Sequence, residues 1–81
     1  MSAKEKLIET LGWYGALAVT GAYALNSFGY LAADAFGYQL LNLTGASALA
    51  VITLYRGVYQ SALVNVIWAL IAVVALTKLL V

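Results

Sequence analysis

The chain has 81 residues, of which 65% are hydrophobic and only 9% are charged, and its formal net charge is +1. Soluble domains are about 45–50% apolar and about 25% charged, so this composition does not suit an ordinary soluble fold. Four scattered Lys and Arg residues do not make the basic patch of a nucleic-acid surface, and we expect no nucleic-acid partner. Because the chain has no Cys, disulfides and thiolate chemistry are excluded.

Seven charged residues divide the chain into three apolar stretches. The charged residues are Lys4, Glu5, Lys6, Glu9, Asp34, Arg56 and Lys78. The apolar stretches cover about 7–31, 36–55 and 59–80, and each is close to the roughly 20 residues that cross hydrocarbon. In lipid, a single segment satisfies its backbone only as a helix. The sequence therefore predicts an all-α membrane protein, a single domain over residues 1–81 with three transmembrane helices whose neighbours are antiparallel.

The predicted helix ends carry recognisable signals. Ser2 followed three residues later by Glu5 is a capping box for the first helix. Gly29 and Gly57 favour the left-handed backbone conformation that ends a helix. Asp34 precedes the second helix, and we expect its carboxylate to cap that helix because an anion there meets the positive end of the helix dipole.

The first apolar stretch follows Lys4 and Lys6, as the core of a signal peptide does. It is longer than the roughly 7–15 residues of such a core and carries Glu9, so we expect a retained membrane helix. Lys4, Lys6 and Arg56 fall on one predicted side of the membrane and Lys78 on the other. The excess of basic residues on the first side predicts a cytoplasmic N-terminus.

Amide and aromatic side chains inside the predicted spans each need a partner or water. Asn26 and Asn42 are expected at similar depth, which favours an interhelical hydrogen bond over a role in lining a solute path. Asn65 has no partner at the same depth in its own chain, so we expect it to meet a second protomer or a ligand. Tyr23 and Trp68 either pack in the core or form the wall of a cavity.

Small residues on all three predicted helices permit close helix approach. They are Gly12, Gly15, Gly21, Ala22, Gly45, Ala46, Ala48, Ala69, Ala72 and Ala75. Three closely packed helices enclose little volume, whereas a solute pocket needs about 300 Å³ or more. A solute pocket therefore requires an oligomer.

Catalytic signals are missing from the sequence. The chain has no His or Cys, and its acidic residues Glu5, Glu9 and Asp34 fall at the predicted membrane surfaces. It has no Gly-rich phosphate loop and no spacing typical of metal ligands. We expect no enzyme, no metal and no cofactor. A small multidrug-type exporter is also disfavoured, because it needs an acidic residue at mid-membrane.

Two short segments carry a resemblance to a known family. Tyr23-Ala24-Leu25-Asn26 lies late in the first helix, and Val64-Asn65-Val66 lies early in the third. With three helices in 81 residues, this pattern is similar to the SemiSWEET half-transporters of the PQ-loop group, where these positions hold the Pro-Gln segment and the pathway Asn. The chain lacks that Pro, has Leu49 where the family has a pocket Trp, and has the opposite predicted orientation.

The resemblance implies two three-helix protomers with a sugar pathway at their interface. We therefore expect a homo-oligomer, with a dimer favoured, in a bacterial inner membrane. It would passively transport a small polar, sugar-like solute bound by Asn65, Trp68, Tyr23, Asn26 and Asn42. Membrane lipid is the other expected partner. The alternative is a non-catalytic accessory or structural subunit of a larger membrane complex, in which the same amides bond to a partner protein.

Overall fold

A computed structural model describes residues 2–81 as three α-helices joined by two short connections. The helices are α1, Ala3–Ser27, α2, Phe36–Tyr55, and α3, Tyr59–Leu80. The prediction of an all-α fold is confirmed. α2 and α3 coincide with the predicted apolar stretches, but α1 ends at Ser27 and not at the predicted Leu31.

The early end of α1 follows from the backbone of Gly29. Gly29 and Gly57 have φ angles of 84° and 74°, a left-handed conformation that continues no right-handed helix. The N–H of Tyr30 then donates to the carbonyl of Leu25 at 2.9 Å, which satisfies a carbonyl that the helix leaves unpaired. An equivalent bond closes α2 after Gly57, so the predicted left-handed conformation of both glycines is confirmed.

The two predicted N-caps have different outcomes. The Ser2 hydroxyl accepts the N–H of Glu5 at 3.2 Å, and only this half of the capping box is formed within the described residues. The prediction for Asp34 is wrong. The cap position of α2 is taken by Ala35, in an extended conformation and without a side-chain cap bond. Because α2 begins at Phe36, Asp34 lies one residue too early to reach the N–H groups of the first turn.

α2 lies between α1 and α3, and within residues 2–81 the two outer helices do not contact each other. Along the α1–α2 interface, Gly15 lies against Gly45 and Gly12 against Ile52, so the two helices are antiparallel. The three-residue connection 56–58 likewise makes α3 antiparallel to α2. We call this arrangement, in which the two outer helices do not meet, the open layer; it is 40 Å long and 22 by 20 Å across.

Glycine permits the closest approach between α1 and α2. A Cβ atom at Gly15 would lie 2.8 Å from the carbonyl oxygen of Gly45, and one at Gly45 would lie 2.8 Å from Cγ2 of Val19. By contrast, a Cβ atom at Gly21 would meet no atom within 4 Å. Apart from Ile8, the buried hydrophobic residues are all alanines: Ala18, Ala22, Ala46, Ala48, Ala50, Ala62 and Ala72. Small residues thus let the backbones pack closely.

Large apolar side chains lie on the outside of the layer. On α3, only Ala62 and Ala72 are buried, and its leucines, valines and isoleucines are mostly exposed. By length and composition, α2 and α3 are able to cross a membrane. α1 is less apolar than these two helices, because it carries charged residues in its first turns and Gly, Thr and Tyr beyond them.

Candidate functional site

Two amide side chains hold the connection between α1 and α2. The Nδ2 group of Asn26 donates to the carbonyl of Leu31 at 2.9 Å. The Nε2 group of Gln39 donates to the carbonyl of Ala33 at 2.8 Å. Both bonds satisfy loop carbonyls that no helix pairs, so Asn26 acts on its own connection and not across a helix interface.

Asn42 is the one buried polar side chain within residues 2–81, with 5% of its surface exposed. Its Nδ2 group donates to the carbonyl of Tyr38, one turn earlier on α2, at 3.1 Å. The predicted hydrogen bond between Asn26 and Asn42 is therefore wrong in this structure. Each amide donates to a backbone carbonyl close to it in sequence, a competition that side-chain spacing alone does not reveal.

Asn65 lies in an open groove between α2 and α3 that carries several polar side chains. The groove has a volume of about 440 Å³ and is lined by Thr53, Gln60, Ser61, Val64 and Asn65. The Thr53 hydroxyl is bonded to the Leu49 carbonyl at 2.6 Å. Within residues 2–81 the amide of Asn65, in contrast to those of Asn26 and Asn42, forms no hydrogen bond. Its donors and acceptor are therefore available to a molecule that enters the groove.

Tyr23 and Trp68 lie on different helices and do not share a cavity. Tyr23 is 66% exposed on α1, and Trp68 is 45% exposed on α3. Trp68 lines a second groove of about 260 Å³ with Val64, Ile67 and Ile71. Val64 borders both the Asn65 groove and the Trp68 groove, so Asn65 and Trp68 line neighbouring grooves. Tyr23, Asn26 and Asn42 line neither groove.

A polar contact between α1 and α2 was not predicted from the sequence. The hydroxyls of Tyr14 and Thr44 lie 2.6 Å apart. These residues directly precede Gly15 and Gly45, the pair at the closest approach of the two helices. If Gly15 and Gly45 had been aligned on two antiparallel helices, the sequence would have predicted that Tyr14 and Thr44 lie close together.

The end of the molecule at which α1 begins and α2 ends holds an ion pair that was also not predicted from the sequence. A guanidinium nitrogen of Arg56 lies 2.7 Å from a carboxylate oxygen of Glu9, and both side chains are about half exposed, at 51% and 43%. The Lys4 ammonium lies 5.1 Å from the centre of the Tyr55 ring. Lys4 and Arg56 were predicted to lie on the same side of the membrane, and these two contacts could have been predicted from that placement. An exposed pair of this kind stabilises a fold by only about 0.2–1 kcal/mol.

Two further cavities lie along the seam between α1 and α2. A pocket of about 250 Å³ is lined by Glu5, Ile8, Glu9, Tyr55 and Arg56. An apolar groove of about 270 Å³ is lined by Glu9, Gly12, Trp13, Ala16, Leu49 and Ile52. Glu9 borders both. No group of three or more His, Cys, Asp or Glu residues in the described part of the chain is placed to hold a metal ion.

A protein-family model matches residues 8–81, which include most of α1 and the whole of α2 and α3. The chain belongs to this family. The family has no established function, so membership assigns no activity to the chain. Both α3 grooves and the Glu9–Arg56 pair lie within the range of the family, whereas Lys4 and Glu5 precede it. The chain matches no curated protein and no solved structure.

Proposed function

We propose that this family member is an integral membrane protein whose three helices all cross the bilayer. α2 and α3 are long and apolar enough to do so. The long dimension of 40 Å is close to the ~40–45 Å thickness of a bilayer with its headgroups. α1 packs antiparallel against α2 over the Gly15–Gly45 contact, and this packing supports a third span beside the second.

The proposed orientation in a bacterial inner membrane places the N-terminus in the cytoplasm, because Lys4, Lys6 and Arg56 share one end of the layer. The chain has no native Cys, so a single introduced cysteine is the only thiol of the protein that a reagent can label. In intact cells, an impermeant thiol reagent should label Ala33→Cys and leave Ser2→Cys unlabelled until the cells are opened. Labelling of Ser2→Cys alone in intact cells would reverse the orientation.

Within this membrane protein, the function that the geometry supports best is passive transport of a small polar solute by a homo-oligomer. The amide of Asn65 is the observation that carries the proposal. An amide within a membrane-spanning helix marks a hydrogen-bond partner or a pathway, and Asn65 forms no hydrogen bond within residues 2–81. The groove offers hydroxyl and amide groups without charge, which suits a neutral, hydroxyl-rich solute such as a sugar. Trp68 lines a second groove that shares Val64 with the first, and its ring provides an apolar surface there for such a solute.

An oligomer is needed because one protomer encloses no pathway. The accessible surface of the chain is 5408 Å². A compact soluble monomer of 8.6 kDa exposes about 4,700 Å². The excess of about 700 Å² is similar to the ~800 Å² that each partner buries in a standard interface. The open Asn65 groove between α2 and α3 is part of the exposed surface, and a second protomer that covers it would close it into a pathway.

Two measurements on purified protein test this proposal together. In mild detergent the protein should have the mass of a homodimer or a larger homo-oligomer. In liposomes it should give saturable uptake of labelled glucose or another small neutral solute down its gradient, above that of protein-free liposomes. A strictly monomeric protein, or an oligomer without flux for a panel of neutral and charged small solutes, would refute transport.

A second candidate function is that of an accessory subunit. Most residues of α3 are exposed, and only Ala62 and Ala72 are buried on it. Helices of a larger membrane protein can pack there and supply a hydrogen-bond partner for Asn65. Recovery of the chain from native membranes in a stable complex with one different protein, and not with itself, would favour this function over transport.

A further inference from the structure

The seam between α1 and α2 combines a charged pocket with an apolar groove, and neither belongs to the α3 grooves of the proposed pathway. The charged pocket lies at the end of the layer that carries Lys4 and Arg56. The apolar groove begins at Glu9, which borders both cavities, and continues along α1 toward Ala16. A ligand that fills both must have a charged end and a hydrocarbon end.

The charges of the pocket are mixed in sign. Its lining contains the carboxylates of Glu5 and Glu9 and the guanidinium of Arg56, and the Lys4 ammonium stands over the Tyr55 ring at its edge. One nitrogen of Arg56 donates to one oxygen of Glu9 at 2.7 Å, which leaves the other Arg56 donors and the second Glu9 oxygen able to bind a ligand. Two anionic and two cationic side chains can bind the opposite charges of a zwitterionic ligand.

The apolar groove owes its shape to small residues. Gly12 and Ala16 form its α1 side with little or no side chain, while Trp13, Leu49 and Ile52 stand around them. Trp13 is 63% exposed. A groove of about 270 Å³ that is open along one side and lined almost wholly by carbon suits a flexible hydrocarbon chain and not a compact polar solute.

We propose that this seam binds a phospholipid with an ethanolamine headgroup. Its phosphate accepts hydrogen bonds from Arg56 and Lys4, its ammonium donates to Glu5 and Glu9, and an acyl chain lies in the groove. Ethanolamine is preferred to choline because its ammonium carries N–H donors, whereas a trimethylammonium has none. It is preferred to an anionic glycerol headgroup because the two carboxylates repel a ligand that brings only negative charge. This site rests on the proposed membrane insertion but not on transport.

Lipid binding is tested by native mass spectrometry of the purified, delipidated full chain. Phosphatidylethanolamine, phosphatidylglycerol and phosphatidylcholine with identical acyl chains are added separately. The ethanolamine lipid should be retained at least about tenfold more strongly than the other two, the difference that one hydrogen bond to a charged group supplies. Glu5→Gln, at an exposed position, should remove most of this preference. Equal retention of the three lipids would overturn the proposal.

The groove is tested separately from the headgroup pocket. Ala16→Phe should fill the groove and weaken binding of the ethanolamine lipid at least about tenfold. Ser47→Phe is the matched control, because Ser47 is also small, is exposed on α2 and lines neither cavity; it should bind as the wild type does. Unchanged binding by Ala16→Phe would overturn the assignment of the acyl chain to the groove. If Ala16→Phe does not fold, the Glu5→Gln variant tests the lipid site instead. Full competition by glycerophosphoethanolamine, which has no acyl chains, would also contradict a lipid ligand.

The outcomes of this experiment and of the transport experiment are distinguishable. Selective retention of the ethanolamine lipid by a protein that shows no flux supports the lipid site and refutes transport. Flux by a protein that retains all three lipids equally supports transport and refutes the lipid site. A chain that alkaline carbonate extracts from membranes would refute the membrane insertion on which both rest.

Discussion

Gly15→Val is expected to separate α1 from α2, whereas Gly21→Ala is expected to leave the two helices packed. Any Cβ atom at Gly15 lies 2.8 Å from the backbone oxygen of Gly45, and a backbone can move away only if the helices move apart. Overpacking of this kind costs about 1–3 kcal/mol, and the additional methyl groups of Val place the expected loss at the upper end of that range.

The fluorescence of Trp13 reports this separation. Trp13 lines the α1–α2 groove beside Leu49 and Ile52, and Trp68→Phe removes the other indole of the chain. In that background, Gly15→Val should lower the midpoint of thermal unfolding in mild detergent and shift the Trp13 emission of the folded state.

Gly21→Ala is the matched control for this measurement. No atom lies within 4 Å of a Cβ atom at Gly21, and Ala favours a helix over Gly by about 1 kcal/mol, so its midpoint should stay level or rise. Equal midpoints for Gly15→Val and Gly21→Ala would show that the close glycine contact does not support the fold.

Asn65→Leu is expected to abolish solute flux without loss of stability. If Asn65 binds solute, its replacement removes a polar group that an apolar environment disfavours, so the thermal midpoint should stay level or rise. If Asn65 instead bonds to another subunit, the change deletes an interhelical hydrogen bond of about 0.6–2 kcal/mol and the complex should loosen. The two hypotheses therefore predict opposite effects on stability.

Trp68→Ala extends the comparison along α3. Because Trp68 is 45% exposed in an open groove, its truncation should cost much less than the ~3–5 kcal/mol typical of a packed core Trp, while flux falls. Leu63→Ala, at an exposed position on the same helix, is the control and should leave flux unchanged. Flux in liposomes and thermal stability in detergent are measured for all three variants. Reduced stability of both Asn65→Leu and Trp68→Ala with unaltered flux would refute the proposed transport pathway.

The number, type and order of the helices were predictable from the sequence. Charged residues interrupt the apolar stretches at about the positions where the helices end, and Gly29 and Gly57 stop α1 and α2 by a property of their own backbone. Such signals act within a few residues of the chain, so they are readable without knowledge of the tertiary structure. Asp34 is the exception, because a cap depends on which residue begins the helix, and a difference of one residue removes the bond.

The hydrogen-bond partners of the candidate site residues could not be predicted from local sequence patterns. Helical spacing placed Asn26, Asn42 and Asn65 on their helices, but it did not reveal that the first two bond to backbone carbonyls of their own segments while the third has no partner among residues 2–81. Choosing among competing hydrogen-bond partners requires the positions of all nearby groups. Those positions are known only once the chain has folded.

Composition and helix signals within the sequence determined that this chain forms three apolar helices with antiparallel neighbours. The tertiary structure alone decided that α2 stands between α1 and α3 in an open layer. Hydrophobic periodicity says which residues avoid water, but in a chain this apolar nearly every face does so, and the pattern therefore selects no packing partner. Close backbone contact between Gly15 and Gly45 makes that selection for α1, and the folded chain leaves Asn65 in an open groove between α2 and α3.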